Sequence, residues 1–194
     1  MKLRVPNSLE DITVAQYRKL AKIDITQDET QWLKETVSIL CGLDESLVNK
    51  LSLTELEKIG TVVNKITNAD TNDQELVKKI DYKGKRYGFH PNLSKLTVGE
   101  FADLETYCAA GFFDHINEII SILYRPIKQE HKDFYQIEEY TGEVFPDYWD
   151  DLKMHVVLGA TNFFLSIGET LTTDLVSSLA VKDKLTSSQK NGVG

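Results

Sequence analysis

The sequence is poor in the residue types and motifs that mark nucleophilic, metal-dependent or phosphate-binding chemistry. Among 194 residues there are two cysteines and four histidines. No CxxC pair, HExxH motif, phosphate-binding loop or dinucleotide-binding glycine pattern occurs. Cys41 and Cys108 lie far apart in apolar surroundings, which predicts that both are reduced and buried. We therefore expect no catalytic residues, no cofactor and no bound metal, and a chain that folds without disulfide or metal staples.

Long apolar runs and concentrated basic stretches are also scarce. The longest apolar run, residues 155–167, is interrupted by Gly159, Thr161 and Asn162, and it is shorter than the roughly 20 apolar residues that span a bilayer. The first twelve residues lack the apolar centre of a signal peptide. The net charge is −8, whereas binding to nucleic acid phosphates needs a basic face. We therefore expect a cytoplasmic protein with neither a membrane nor a nucleic acid partner.

What the sequence does contain is a series of helix signals. Hydrophobic residues make up 41% and charged residues 27% of the chain, an ordinary balance for a globular protein. A threonine or serine followed three residues later by Gln or Glu marks a capped helix start. This spacing occurs at Thr13 and Gln16, Thr26 and Glu29, Ser52 and Glu55, and Thr97 and Glu100. Each pair precedes apolar residues at helical period, and Gly42 follows the second of these runs as a natural stop.

The central stretch, residues 96–127, predicts the core. A capped helix at 97–110 is followed by a break at Gly111 and a more apolar helix at 112–124, which ends before Pro126. A long final helix from about residue 148, which Asp147 could cap, is expected to pack against this pair. The apolar spacing of this helix continues through Leu171, Leu175 and Leu179. The most apolar of the three helices contains Ile120, which we expect to be buried.

One part of the chain has the alternating pattern of strands. Residues 80–90 read IDYKGKRYGFH, with a turn at Lys83 and Gly84, and predict a β-hairpin near residues 78–90. An isolated hairpin is marginally stable in water, so this one must lie on the helices or join the sheet of a partner. It is also the most basic part of the chain, which suits protection of exposed strand edges or, as an alternative, ligand binding.

These patterns predict a mainly α fold, an irregular helical bundle with one β-hairpin. They divide the chain into an N-terminal helical lobe at 1–74, a hairpin and helical core at 75–182, and a flexible tail at 183–194. The polar sequence NADTND at 68–73 links the first two parts. The tail is expected because the residues beyond Val181 offer no apolar side chains to a core.

Residues 128–153 are both acidic and aromatic, with eight carboxylates against three lysines. Aromatic side chains among acids are typical of a partner-docking surface, but they also suit a loop that lies over the core. The last helix adds two phenylalanines to the candidate surface. The candidate partner-binding residues are Phe134, Tyr135, Tyr140, Phe145, Tyr148, Trp149, Phe163 and Phe164.

Two further functional classes stay open from the residues alone. An enzyme with an unrecognised site would require Glu100, Asp103, His115 and Glu118 to converge in a buried cluster. A regulator that mimics nucleic acid would require the carboxylates from Glu130 to Asp151 to line up on one face at the spacing of phosphates. The pairs His115 with Glu118 and Asp151 with His155 have helical spacing, and we interpret both as surface pairs.

The order of four blocks resembles a known group of proteins. These blocks are VPNSLEDITVAQYRKLAKI at the start, IDYKGKRYGFHP leading into LSKLTVGEFADLE, SILYRPI, and VVLGATNFFLSIGETL. Together they resemble small proteins encoded among the virion genes of tailed bacteriophages, including phages of Bacteroidetes hosts. The resemblance covers roughly residues 6–171. It implies a tail assembly chaperone or a minor virion component, and it implies no catalytic residues.

The resulting hypothesis is a non-enzymatic morphogenesis protein that acts by protein–protein contact. As a tail assembly chaperone it would shield an aggregation-prone partner, such as the long helical protein that sets tail length. The alternative is a stoichiometric virion component, either a ring or connector subunit or an internal cargo protein, which would contact neighbouring virion subunits or further copies of itself. Either role places the protein in the host cytoplasm during assembly, and the second also places it in the virion.

Overall fold

The computed structural model describes residues 5–24, 26–67, 74–132, 134–145 and 147–166. In this part of the chain, half of the residues are helical and 15% lie in strands. The helices are α1 (Val14–Leu20), α2 (Glu29–Cys41), α3 (Glu45–Val48), α4 (Leu53–Thr67), α5 (Val98–Gly111), α6 (Ile116–Leu123) and α7 (154–166), with a short 3-10 turn at Leu93–Lys95. The strands are β1 (Lys79–Tyr82), β2 (Lys85–Phe89), β3 (Tyr124–His131) and β4 (Phe134–Ile137). The fold is mixed α/β, so the prediction of a mainly α bundle is wrong.

The four strands form one antiparallel sheet in the order β1-β2-β3-β4. The predicted hairpin is confirmed as β1 and β2, with Lys83 and Gly84 both at positive φ (47° and 76°), as a tight two-residue turn requires. On its other side β2 pairs with β3, which places Tyr87 opposite Pro126 and Phe89 opposite Tyr124. The hairpin therefore finds its third and fourth strands in its own chain, and the sequence did not predict either of them.

Tyr124 was predicted to end a helix, but in the structure it begins strand β3. Helix α6 ends at Leu123, and Tyr124 adopts an extended conformation (φ −117°, ψ 123°). Pro126 favours this end because it cannot continue the helix and because it restrains Arg125, the residue before it, to extended geometry. Tyr124 remains buried, and its hydroxyl donates to the carbonyl of Val77 at 2.6 Å. An apolar pattern that looks like the end of a helix thus continues as the start of a strand.

The predicted helix starts agree with the structure at three of four places. Thr13 with Gln16 and Thr97 with Glu100 form complete capping boxes. Ser52 and Glu55 exchange the same pair of hydrogen bonds. The prediction at Thr26 is wrong, because Asp28 caps α2 and its side chain accepts from the backbone N–H of Gln31. Gly42 ends α2 in a left-handed conformation (φ 63°), as predicted.

Helix α6 is shorter than expected and α7 starts later. Gly111 breaks the chain at φ 126°, but α6 begins only at Ile116. Residues 147–150 form turns, and the final helix begins at 154 rather than 148. The predicted continuation of that helix through Leu171, Leu175 and Leu179 lies outside the described residues. None of the helices within the described ranges is long and apolar enough to cross a membrane.

A single connected apolar core joins the early helices to the sheet and the later helices. Its members include Val14, Val37, Ile80, Ile120 and Met154, and Ile120 is fully buried, as expected. The division of the chain at residues 74 and 75 stays a prediction. The linker at 68–73 and the tail at 183–194 lie outside the described residues. Among the cysteines, Cys108 is exposed and Cys41 is half-buried, so the prediction that both are buried is wrong.

Two glycines allow close packing around the sheet. A Cβ at Gly88 would collide with the ring of Tyr135, which reaches across from β4. A Cβ at Gly159 in α7 would collide with the backbone carbonyl of Glu75, which lies in the stretch before β1. Gly159 therefore allows α7 to lie close to the backbone of the chain before β1. These two contacts help to fix β4 and α7 against the chain around β1 and β2.

Candidate functional site

The candidate site is built on residues 124–151, called here the 124–151 segment, which runs through β3 and β4. Its start is fixed by a buried ion pair. The guanidinium of Arg125 lies 2.6 Å from the Glu100 carboxylate, and both side chains are almost fully buried. The imidazole of His90 lies 4.0 Å from the same carboxylate. The start of β3 is thereby held to the first turn of α5.

Burial and charge shift the pKa of both titratable neighbours of Arg125. Burial acts to raise the pKa of Glu100, but hydrogen bonds from Thr97 and the nearby Arg125 and His90 outweigh it and hold the pKa below its ordinary value. Burial and the charge of Arg125 lower the pKa of the His90 imidazole. At neutral pH this arrangement favours a Glu100 carboxylate paired with Arg125 beside a neutral His90.

The end of the 124–151 segment is fixed by Trp149, which is 2% exposed. Its backbone N–H donates to the side-chain oxygen of Asn117 at 2.6 Å, and its indole N–H donates to the hydroxyl of Ser121 at 2.8 Å. Its ring stacks on Tyr82 with centroids 4.9 Å apart. Two polar side chains of helix α6, those of Asn117 and Ser121, thus accept hydrogen bonds from the backbone and the indole of Trp149. Trp149 is an anchor within the chain.

Tyr148 lies between the anchor and the surface. Its hydroxyl is 2.6 Å from that of Tyr87. The ammonium of Lys83 donates to its carbonyl at 2.7 Å and lies 4.7 Å from the centre of its ring. Burial raises the pKa of the Tyr87 phenol, and the neighbouring Tyr148 and Glu138 raise it further. The Tyr148 ring therefore already contacts one ammonium group, that of Lys83.

Between its two anchored ends the 124–151 segment exposes aromatic side chains. Phe134 is 55% exposed and Phe145 is 62% exposed. Each borders a groove. The acidic groove, of about 320 Å³, is bordered by Tyr140, Phe145, Tyr148 and Trp149 together with Glu138, Glu139 and Glu143. The lysine-rimmed groove, of about 740 Å³, is bordered by Phe134, Tyr135 and Phe163 together with Lys78, Lys95 and Lys128.

The structure therefore divides the eight predicted partner-binding residues into groups. Three are solvent-facing, namely Phe134, Phe145 and Phe163. Tyr140, Tyr148 and Phe164 are partly buried against the core, and Tyr135 and Trp149 are buried. Seven of the eight border one of the two grooves, and Phe164 borders neither. A role in partner binding stays a prediction for all of them.

The residues named for an enzyme site form separate pairs. Glu100 pairs with Arg125, Asp103 accepts from the hydroxyl of Tyr140 at 2.8 Å, and His115 lies 3.7 Å from Glu118. Within the described residues, no group of three His, Cys, Asp or Glu side chains is arranged to hold a metal ion. The carboxylates proposed for mimicry of nucleic acid are partly engaged within the chain. Glu130 pairs with Lys79 and Arg86, and Asp147 and Asp150 pair with Arg18.

Sequence reasoning missed the residues that give the two grooves their opposite charge. The composition of residues 128–153 includes Glu138, Glu139, Glu143 and Lys128, but it does not indicate which groove each of them borders. The basic hairpin residues were expected to protect strand edges, and two of them, Lys79 and Arg86, do lie along the sheet against Glu130 on β3. Lysines and acidic residues are interspersed along 128–139. They can be assigned to the two grooves only once the positions of β3 and β4 are known.

Comparisons with known proteins found no match: neither a family model, nor a curated protein, nor a solved structure is similar to this chain.

Proposed function

We propose that the protein is a non-enzymatic morphogenesis protein of a tailed bacteriophage that acts by protein–protein contact, as a tail assembly chaperone. The phage assignment is supported by the resemblance of four ordered sequence blocks to virion-gene-cluster proteins. The contact mechanism is supported by one structural observation. The 124–151 segment is anchored at both ends, and its middle presents two grooves bordered by exposed phenylalanines.

The exposed rings are what connects this surface to protein binding. Phe134 and Phe145 each keep more than half of their surface in water, although burial of a phenylalanine stabilises a protein by about 1.5–3 kcal/mol. Aromatic residues beside a groove are the typical anchors of protein interfaces. A chaperone for an aggregation-prone tail protein needs such a surface, and the net charge of −8 would keep the complex in solution.

The proposal is tested by quantitative mass spectrometry of purified phage particles and of the lysate of infected cells. A chaperone is expected in the lysate in complex with a tail protein and is expected to be absent from particles. A fixed copy number relative to the major capsid protein would replace the chaperone role with that of a stoichiometric virion component. The absence of any particle from a source that encodes the chain would overturn the phage assignment itself.

The contact surface is tested in the same lysate. Phe134→Ala and Phe145→Ala are expected to reduce recovery of the tail protein with the tagged chain. Phe101→Ala is the matched control, since Phe101 on α5 is also 54% exposed but borders neither groove. Equal recovery with all three variants would show that the grooves are not the binding surface.

A further inference from the structure

We infer that the acidic groove binds a lysine or arginine side chain of a partner protein segment, held among its aromatic rings and paired with its glutamates. This inference rests on the proposed contact function and names the chemistry of the partner. The groove has a volume of about 320 Å³, at the lower end of the range for ligand clefts. That volume suits one long side chain better than a whole helix.

The charges around the groove favour a cation. Glu138, Glu139 and Glu143 are exposed, and none of them forms an ion pair with another residue in the described ranges. Two cations also border the groove, but the charge of Arg125 is taken by Glu100 at 2.6 Å. Among the described residues, the groove is therefore bordered by three glutamates without an ion pair and by one unpaired lysine, Lys85.

The rings provide the second half of the site. A cation is attracted to the face of an aromatic ring, most strongly where water is excluded. Tyr140 and Tyr148 are partly buried, and Phe145 stands at the rim. Burial and the nearby Asp103 and Glu100 raise the pKa of the Tyr140 phenol. The groove therefore combines aromatic rings with three exposed glutamates, which is the chemistry of a site for alkylammonium or guanidinium groups.

The protein already contains one example of this recognition. The ammonium of Lys83 lies 4.7 Å from the centre of the Tyr148 ring and 5.3 Å from the centre of the Tyr82 ring, and it donates to the Tyr148 carbonyl. The same tyrosine borders the acidic groove. A lysine of the partner would repeat within the groove the contact that Lys83 makes beside it.

The opposite charge of the neighbouring groove makes the inference specific. Among the described residues, the lysine-rimmed groove is bordered by Lys78, Lys95 and Lys128 and by one acidic residue, Glu139. None of these three lysines forms an ion pair within the described part of the chain. A basic side chain is therefore expected to select the acidic groove and to avoid the other, although both are bordered by aromatic rings.

The test is a titration of the full chain, followed by NMR of its aromatic side chains, with the amide of N-acetyl-lysine. The amide of N-acetyl-norleucine serves as the uncharged probe of similar length. Saturable changes in the chemical shifts of Tyr140, Tyr148 and Phe145 are expected with the lysine probe and not with the norleucine probe. Equal shifts with norleucine would overturn the inference, because the groove would then recognise apolar bulk. Shifts elsewhere on the chain, or no saturable shift at all, would overturn it too.

Two variants and a control distinguish the groove from general attraction to an acidic protein. Glu138→Gln, Glu139→Gln and Glu143→Gln combined, and separately Phe145→Ala, are expected to weaken binding of the lysine probe by about fivefold or more. The control combines Glu45→Gln, Glu57→Gln and Glu105→Gln, which removes the same charge from exposed positions that border neither groove. Its expected effect is less than about twofold.

The result is independent of the phage assignment. Should the control triple variant weaken binding as much as the groove triple variant, the inferred site is wrong and the mass spectrometry of particles still decides the proposed function. Conversely, selective lysine binding in the acidic groove would stand even if no phage particle contained or required the protein.

Discussion

Two aromatic residues that lie close together in the 124–151 segment differ in exposure. Trp149 near its end is 2% exposed, whereas Phe145, four residues earlier, is 62% exposed. Polar side chains on two helices hold the ends of the segment. The indole and backbone of Trp149 meet Ser121 and Asn117 on α6, and Arg125 at the start of the segment meets Glu100 on α5. Trp149 meets these partners and is buried, whereas the rings of Phe134 and Phe145 are exposed and available for contact.

The largest expected effect follows loss of the anchor at the end of the segment. Trp149→Ala would remove a buried ring, its stacking on Tyr82 and the hydrogen bond to Ser121. We expect a loss of about 3–5 kcal/mol in the free energy of unfolding, a large part of the total stability of a domain. The measurement is chemical denaturation followed by circular dichroism. A loss below about 1 kcal/mol, as for an exposed side chain, would remove the distinction between end and middle.

A slightly smaller effect is expected at the start of the segment. Glu100→Ala would leave the guanidinium of Arg125 buried without its carboxylate and would open the capping box with Thr97. We expect a loss of about 3 kcal/mol in the free energy of unfolding, because an unpaired buried charge is costly. The value lies at the low end of the usual range because Arg125 borders the acidic groove and can be hydrated there. Glu105→Ala on the same helix is the control, since Glu105 is exposed. Equal stability of the two variants would contradict the role of the ion pair.

The pH dependence of stability separates the charged start from the neutral end. The pKa values of Glu100 and His90 are both lowered in the folded protein. The stability that each contributes is present above its unfolded pKa and is lost as pH falls through its folded pKa. Unfolding free energy should therefore fall on acidification, first below about pH 6.5 through His90 and then below about pH 4.5 through Glu100.

Removal of the first group checks this assignment. The variant His90→Phe should reduce the upper part of the pH dependence, to which His155 also contributes, and keep the lower part. In the Trp149→Ala variant, by contrast, both parts should remain, because no titrating group holds that anchor. An unchanged upper part in His90→Phe would assign it to another histidine, such as His155, whose pKa is also lowered by burial.

The smallest effect is expected in the middle of the segment. Phe134→Ala and Phe145→Ala should each change the free energy of unfolding by less than about 0.5 kcal/mol, because both rings are mostly exposed. Denaturation of each variant beside Trp149→Ala provides the measurement. A loss of 2 kcal/mol or more, about the value for a buried ring, would mean that the middle is packed in solution and is not free for a partner.

Much of the helical part of the fold could be predicted from the sequence because its signals are local. The capping boxes at Thr13 and Thr97 and the stop at Gly42 depend on residues within one or two turns. The tight turn at Lys83 and Gly84 is local in the same sense. These features need no knowledge of what the helix or hairpin packs against.

The rest of the sheet could not be predicted because its strands lack the usual alternation. Beyond Ile127, β3 is exposed at successive residues, and β4 buries only Tyr135 fully. Strand β3 pairs with β2, more than thirty residues earlier in the chain, and β4 then pairs with β3. The apolar start of β3 follows α6 directly at Tyr124, so that its pattern looks like the end of a helix. Long-range pairing of a polar strand leaves no periodic signal in the sequence.

The candidate surface was predicted in composition and not in detail. The sequence identified the aromatic residues of 134–149. The partners that hold Trp149 in place, Asn117 and Ser121, lie on a helix some thirty residues earlier. The separation of glutamates and lysines into two grooves depends on β3 and β4. Neither feature is available from spacing along the chain, so Trp149 and Phe145 looked equivalent before the structure distinguished them.

The central claim is that the 124–151 segment is anchored at both ends and open in the middle. Amide and indole hydrogen exchange of the intact chain, followed by NMR, tests it most directly. The account predicts slow exchange at the backbone and indole N–H of Trp149 and at the backbone N–H of Tyr124, with fast exchange across residues 139–145. Fast exchange at Trp149, or slow exchange throughout 139–145, would contradict it.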